Sequence, residues 1–132
     1  MTRVGFIGLG NVGGKLAGSL LRNGVDLLVR DLDRAAAQPF LDEGAHWGES
    51  PREMAENCDM VITCLPSPAA SAAVMEADDG ILAGLSDSKI WAEMSTTDEA
   101  EVTRLGAMVA ATGAAAVDCP VSGGCHRAAT GN

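Results

Sequence analysis

Near its start the chain runs from an apolar stretch straight into spaced glycines: Gly5-Phe6-Ile7-Gly8-Leu9-Gly10-Asn11-Val12-Gly13. This stretch constrains the fold most, because each glycine of the Gly8-x-Gly10-x-x-Gly13 spacing answers a different steric demand. The first permits a tight strand-to-helix turn, the second lets a bulky anion approach bare backbone, and the third lets the helix pack closely on the strand. The N–H groups that open such a helix, with its dipole behind them, suit a pyrophosphate. The spacing is that of a dinucleotide-binding turn, with Gly8, Leu9, Gly10, Asn11, Val12 and Gly13 as its candidate contacts. Glycine makes up 16 of the 132 residues, so the surroundings must decide whether the spacing has meaning.

Those surroundings alternate between strand and helix signals. Val4–Ile7 reads as a short buried strand, and residues 11–23 carry Val12, Leu16, Leu20 and Leu21 on one helical stripe that Asn23-Gly24 ends. Leu27–Val29 predicts a second strand, and Asp33 a cap for a helix over Arg34–Glu43 that Pro39 should kink or split. Ala45–Trp47 suggests a short strand, and Ser50-Pro51-Arg52-Glu53 has a capping-box pattern. Met60–Leu65 is a strand stopped by Pro66, after which Ser67-Pro68 starts a helix through Met75. Beyond the Asp79-Gly80 turn and the short apolar piece Ile81–Leu85, Lys89–Glu93 reads as a strand. The Ser95–Asp98 stretch opens a helix to Thr112 with Val102, Leu105 and Val109 on one face, and Ala114–Asp118 is the last strand. Such alternation predicts one domain over residues 1–132 of the Rossmann-type α/β class. It would be a doubly wound, mostly parallel sheet with helices on both faces.

A dinucleotide site needs an acid after its second strand to bond the adenosine ribose, and Asp31 lies 23 residues after Gly8. Its carboxylate would accept from both ribose hydroxyls and repel a 2′-phosphate, favouring NAD over NADP. Arg30 and Arg34 flank it and leave NADP open, since an arginine there can accommodate that phosphate. Arg30 and Asp31 therefore join the candidate cofactor contacts. The alternative reading of Asp31 is a helix-start or turn carboxylate.

In open α/β sheets, ligands bind beyond the carboxyl ends of the strands. The remaining segments that fall there are Leu65-Pro66-Ser67-Pro68, Met94-Ser95-Thr96-Thr97, and Asp118-Cys119-Pro120-Val121-Ser122-Gly123-Gly124. Ser67, Ser95 and Thr96 can each be read as helix caps, and Ser122-Gly123-Gly124 as an ordinary loop. That loop also offers a hydroxyl and unhindered N–H groups to an anion.

A formal net charge of −9 argues against nucleic acid and against anionic membrane surfaces. No run of apolar residues reaches the length of a membrane span, and Asn11 and Lys15 interrupt the apolar N-terminal stretch that would otherwise read as a secretory leader. The cysteines Cys58, Cys64, Cys119 and Cys125 form no C-x-x-C pair, and His46 and His126 stand at no zinc-ligand spacing. The expectation is a cytoplasmic protein with reduced thiols and no metal site.

Together these residues resemble the N-terminal half of the β-hydroxyacid dehydrogenases, the group of 3-hydroxyisobutyrate dehydrogenase and tartronate semialdehyde reductase. The resemblance covers essentially the whole chain. It rests on the glycine turn, Leu65-Pro66, Ser95-Thr96, and Asp118-x-Pro120-Val121-Ser122-Gly123-Gly124 followed by Ala128, Gly131 and Asn132. The last motif is far more specific than the glycines. The resemblance implies that Leu65, Pro66 and Thr96 contact NAD, with Thr96 near the nicotinamide. It also implies that Ser122, Gly123 and Gly124 hold the carboxylate of a small hydroxy acid. The related 6-phosphogluconate dehydrogenases carry a different sequence around Ser122-Gly123-Gly124, which makes a sugar phosphate the weaker match.

Departures from the family pattern are Val12, Glu93-Met94 and Cys125-His126, the first two of which read as packing changes. The family's catalytic lysine belongs to a second, all-helical domain that lies beyond Asn132, and a full-length member is expected to form a homo-oligomer. Lys15 and Lys89 are the lysines present, and neither is placed to substitute. Residues 1–132 taken alone are thus expected to bind cofactor without turnover, with no catalytic residue among them. The resemblance implies oxidation of a 3-hydroxyisobutyrate-like acid by the longer protein. A non-catalytic NAD-binding module, and a semialdehyde or imine reductase, stand as the alternatives.

Overall fold

The computed structural model of the chain describes residues 2–95 and 98–118. Strands β1 (Arg3–Ile7), β2 (Asp26–Arg30), β3 (His46–Trp47), β4 (Met60–Thr63), β5 (Ile90–Glu93) and β6 (Ala115–Asp118) form one sheet in the order β3-β2-β1-β4-β5-β6. Every pairing among them is parallel. The helices are α1 (Asn11–Arg22), α2 (Arg34–Asp42), α3 (Pro51–Asn57), α4 (Pro68–Glu76), α5 (Ile81–Gly84) and α6 (Glu99–Ala111). This is the doubly wound architecture that the alternation predicts, with the parallel character complete among the described residues.

Side chains alternate across each strand, so a strand covered on both faces must be apolar at consecutive positions. Val4 and Phe6 of β1, Leu27 and Val29 of β2, Ile62 of β4 and Ala92 of β5 face a layer that includes Ala17 of α1 and Ala37 of α2. The intervening Ile7, Leu28, Val61 and Trp91 face the opposite layer with Met54 of α3, Met75 of α4, Ile81 of α5, and Leu105 and Val109 of α6. Complete burial of a side chain such as Phe6 contributes about 1.5–3 kcal/mol relative to leaving it in water. No helix among the described residues is long and apolar enough to cross a membrane.

Side-chain caps fix where several helices begin. Asp33 accepts from the Ala35 N–H, Ser50 Oγ from Glu53, Ser67 Oγ from Ala70, and Asp98 from Ala100. Ser67 is thus a cap, whereas the cap of α6 is Asp98 and not Ser95.

Two expectations change. Pro39 does not split its helix, and α2 is continuous from Arg34 to Asp42. Pro39 removes the N–H that would bond Ala35 O, but both residues are exposed, so water can satisfy that carbonyl. Strand β4 ends at Thr63, short of Leu65. Its register partner Ile7 is the last residue of β1, and the chain turns away at Gly8, with φ +104°. The Cys64 N–H still donates to Ile7 O at 2.9 Å, and beyond that bond Cys64 and Leu65 pass into the wall of a cleft.

Candidate functional site

The chain winds outward from β1 through β2 to β3, then returns to lay β4 on the other side of β1. A crevice opens where the winding reverses, at the carboxyl ends of β1, β2 and β4. It is a cleft of about 720 Å³ whose walls include Gly8, Gly10, Asn11, Val12 and Gly13, with Arg30 and Asp31 on one side and Leu65 and Pro66 on the other. Most of the cofactor contacts proposed from sequence are therefore gathered in one place. Thr96, Ser122, Gly123 and Gly124 lie outside the described residues, as do Cys119, Cys125 and His126.

The glycines meet the demands expected of them. A Cβ on Gly8 would strike the Cys64 carbonyl, and one on Gly13 would strike the carbonyl of Gly8. At Gly10 a Cβ would meet nothing within 4 Å, because that position faces the open cleft. Gly10 is also the N-cap of α1 and supplies no side-chain hydrogen bond. The Gly14 N–H donates to Gly10 O at 2.7 Å. Helical geometry leaves the N–H groups of Asn11, Val12 and Gly13 without intrahelical acceptors. The first turn of α1 carries no acid, so nothing there opposes the positive end of the helix dipole.

Leu9 does not line the cleft. Its side chain is only 7% exposed and packs in the core, and its N–H donates to Asp31 Oδ2 at 2.8 Å. Asp31 Oδ1 accepts from the Asp33 N–H at 3.0 Å. Asp31 therefore serves as the turn carboxylate and also lines the cleft. A carboxylate offers roughly four lone-pair sites, so these bonds leave acceptor capacity facing the opening.

The arginines beside it are engaged elsewhere. Arg30 donates to the carbonyls of Gly48 and Glu49 at 2.7 and 2.9 Å. The guanidinium groups of Arg30 and Arg34 lie 5.2 and 4.7 Å from the centre of the Trp47 ring. Leu32, which the sequence reading passed over, stands at the cleft edge with a relative exposure of 105%. A leucine inside an otherwise charged turn, Arg30-Asp31-Leu32-Asp33-Arg34, was the available signal.

Sequence reasoning also missed a buried polar cluster at the ends of β4 and β5. Glu93 is fully buried, and its Oε1 accepts from Thr63 Oγ1 at 2.9 Å and from the Ser95 N–H at 3.0 Å. Trp91 Nε1 donates to Thr63 Oγ1 at 3.0 Å, and the Leu65 N–H donates to Ser95 Oγ at 2.6 Å. Cys64 lies at the cleft near this cluster, its thiol pushed above the usual range by burial and then by the Glu93 carboxylate.

The lysines are away from the cleft. Lys15 is exposed on α1, while Lys89 Nζ donates to the Glu56 and Cys58 carbonyls at the opposite end of the sheet.

Comparison with known proteins agrees with this geometry. Human mitochondrial 3-hydroxyisobutyrate dehydrogenase is 37% identical over 131 residues, which are 99% of this chain and 39% of the relative. Psf3, solved in complex with NADP+ and 2-OPP, superposes with a TM-score of 0.92 at 31% identity, covering 97% of this chain and 45% of that one. The 3-hydroxyisobutyrate dehydrogenase of Mycobacterium tuberculosis, solved with L-serine, gives a TM-score of 0.87 at 28% identity over 98% of this chain and 44% of its own. The chain thus spans less than half the length of each of these relatives. The family model described as the NAD binding domain of 6-phosphogluconate dehydrogenase matches residues 3–132. With the glycine turn, the cleft and this match in agreement, the chain belongs to that family of NAD-binding domains and resembles the 3-hydroxyisobutyrate dehydrogenases within it.

Proposed function

We propose that this chain is the cofactor-binding part of an NAD-dependent oxidoreductase that oxidises a small 3-hydroxy acid of the 3-hydroxyisobutyrate type. One juxtaposition carries the reading: the open start of α1 at Gly10, which has no side-chain cap, lies beside the acid that follows β2, Asp31, across a single cleft. In this reading the N–H groups of Asn11, Val12 and Gly13 hold the pyrophosphate. Asp31 accepts from the ribose hydroxyls with the lone pairs that Leu9 and Asp33 leave free. Leu32 offers apolar surface to the flat adenine. Leu65, Pro66 and Thr96 flank the part of the cofactor that extends over β4 and β5, toward the nicotinamide.

NAD is favoured over NADP for two reasons. A 2′-phosphate would approach the Asp31 carboxylate, and its natural cationic partners, Arg30 and Arg34, are stacked on Trp47. The bound cofactor supplies the hydride acceptor, and the protein supplies orientation and electrostatics. Ser122, Gly123 and Gly124 would hold the substrate carboxylate and aim its β-carbon. Removing the hydroxyl proton needs a base; Lys15 is exposed on α1 and does not line the cleft, and Lys89 lies at the opposite end of the sheet. As the resemblance implies, that proton goes to a lysine outside residues 1–132.

The test is NADH formation by the full gene product with 3-hydroxyisobutyrate, serine and glycerate, alongside calorimetric titration with NADH and NADPH. Turnover of a short 3-hydroxy acid with NAD preferred is expected. Absence of turnover on all of them would remove the substrate assignment, and preference for NADPH the cofactor assignment.

A further inference from the structure

Glu93 presents an energetic problem. Its carboxyl is fully buried, Oε2 has no hydrogen-bond partner, and no ion pair reaches it among the described residues. Burying such a group costs stability, and an apolar side chain in the same space between packed layers would avoid the cost. Register places Glu93 directly beside Thr63 on β4, and its neighbours on that face are core residues such as Trp91. Nothing in the strand itself calls for an acid there.

What the carboxyl does is join two strand ends. Through Oε1 it fixes Thr63, the last residue of β4, and the backbone N–H of Ser95, just past β5. Ser95 Oγ in turn accepts from the Leu65 N–H at 2.6 Å, and Leu65 lines the cleft. Trp91 supports the chain from below through Thr63 Oγ1. The cleft wall on β4 is thereby tied to the start of the segment that carries Thr96. Among the described residues Asp31 and the glycine turn share no hydrogen bond with this cluster; Gly8 only packs against Cys64 and Leu65, and the turn is tied to Asp31 by its own bonds.

We propose that Glu93 is a positioning residue for the half of the cleft remote from Asp31, setting the Leu65 turn and the Ser95 turn at the separation that the nicotinamide end of the cofactor needs. The inference rests on the cofactor orientation given under Proposed function. It predicts that the two halves of the cleft can be uncoupled. ADP-ribose probes the glycine turn and Asp31, and NADH probes both halves.

The experiment titrates ADP-ribose and NADH against the wild-type protein, Glu93→Leu, Glu93→Gln and Ser95→Ala, with circular dichroism confirming the fold of each. Glu93→Leu and Ser95→Ala should each weaken NADH by about fivefold to tenfold, the scale of one lost hydrogen bond, and leave ADP-ribose unchanged. Glu93→Gln keeps a carbonyl acceptor at the Oε1 position and should restore NADH binding to near the wild-type value. Parallel weakening of both ligands would show a merely structural role and overturn the proposal, as would unchanged NADH affinity. Should Glu93→Leu fail to fold, Ser95→Ala decides by the same criterion, since it removes a single hydroxyl from the buried link to Leu65 and leaves the Glu93 carboxyl in place. A wild-type protein that binds neither ligand overturns the cofactor reading itself, and this inference with it.

Discussion

Asp31 Oδ2 accepts a hydrogen bond from the backbone N–H of Leu9 at 2.8 Å, so the acid proposed to choose the cofactor also braces the turn that binds it. Structure and selectivity share one side chain, and two substitutions should separate them. Asp31→Ala strands the Leu9 N–H and is expected to cost about 1–2 kcal/mol in urea unfolding. It should also weaken NADH and narrow the preference over NADPH. Asp31→Asn keeps an acceptor for Leu9 and should recover most of the stability while leaving the preference narrowed. An unaltered NADH-to-NADPH ratio in the alanine variant would take Asp31 out of the site.

The glycines of the turn should respond in opposite ways to the same added methyl group. At Gly13 it meets the Gly8 carbonyl, so Gly13→Ala is expected to destabilise the fold by about 2 kcal/mol or more. At Gly10 it meets nothing within 4 Å. Gly10→Ala should therefore unfold within about 0.5 kcal/mol of the wild type. It should nevertheless lose NADH affinity, because the methyl occupies the approach of the phosphates. Thermal melts and calorimetry on both variants check the contrast.

Arg104 ties α4 to α6 by reaching Glu76 and Glu101, each at 2.7 Å from Nη2. Hydrogen bonding to Arg104 holds both carboxyls below the usual carboxylate range. A carboxyl depressed in the folded state stabilises above its unfolded value, and that contribution is lost as pH falls through the folded one. The stability difference between the wild type and Arg104→Met should thus be greatest near neutrality and shrink below pH 4 or so, a range set by ordinary glutamate titration. These groups are partly exposed, so high salt should shrink it too. Urea unfolding at several pH values and salt concentrations measures both trends.

Burial pushes the Cys58 thiol up to about 11. At pH 8 it should resist iodoacetamide in the native protein and react on unfolding, because the thiolate is the reactive form. Peptide mapping of the alkylated protein distinguishes Cys58 from the other cysteines. Native-state labelling of Cys58 at the rate of a free thiol would contradict the burial.

The sequence was informative wherever the physics is local. The helix caps at Asp33, Ser50 and Ser67 depend on neighbours a few residues away, and the glycine turn and Asp31 are legible as a spacing motif although they meet Cys64 and Leu9 across the fold. The burial of Leu9 was not legible, because the turn motif does not say which way an intervening side chain points. The Glu93 cluster was not legible, since its bonds to Thr63 and from Leu65 to Ser95 each span 30 residues and exist only once β4 and β5 are in register. The continuity of α2 through Pro39 likewise depends on the solvent exposure of the Ala35 carbonyl's surroundings, which only the folded surface reveals.

Trp47, flanked by Arg30 and Arg34, and Trp91, sealed beside Thr63, are the chain's tryptophans, and it has no tyrosine. The protein therefore carries two intrinsic fluorophores in contrasting surroundings, one half-buried against cations near β2 and the other in a dry core near β5. Replacing either with phenylalanine would leave a single emitter. Its spectrum and its energy transfer to NADH would then report on one end of the cleft at a time, with no label added.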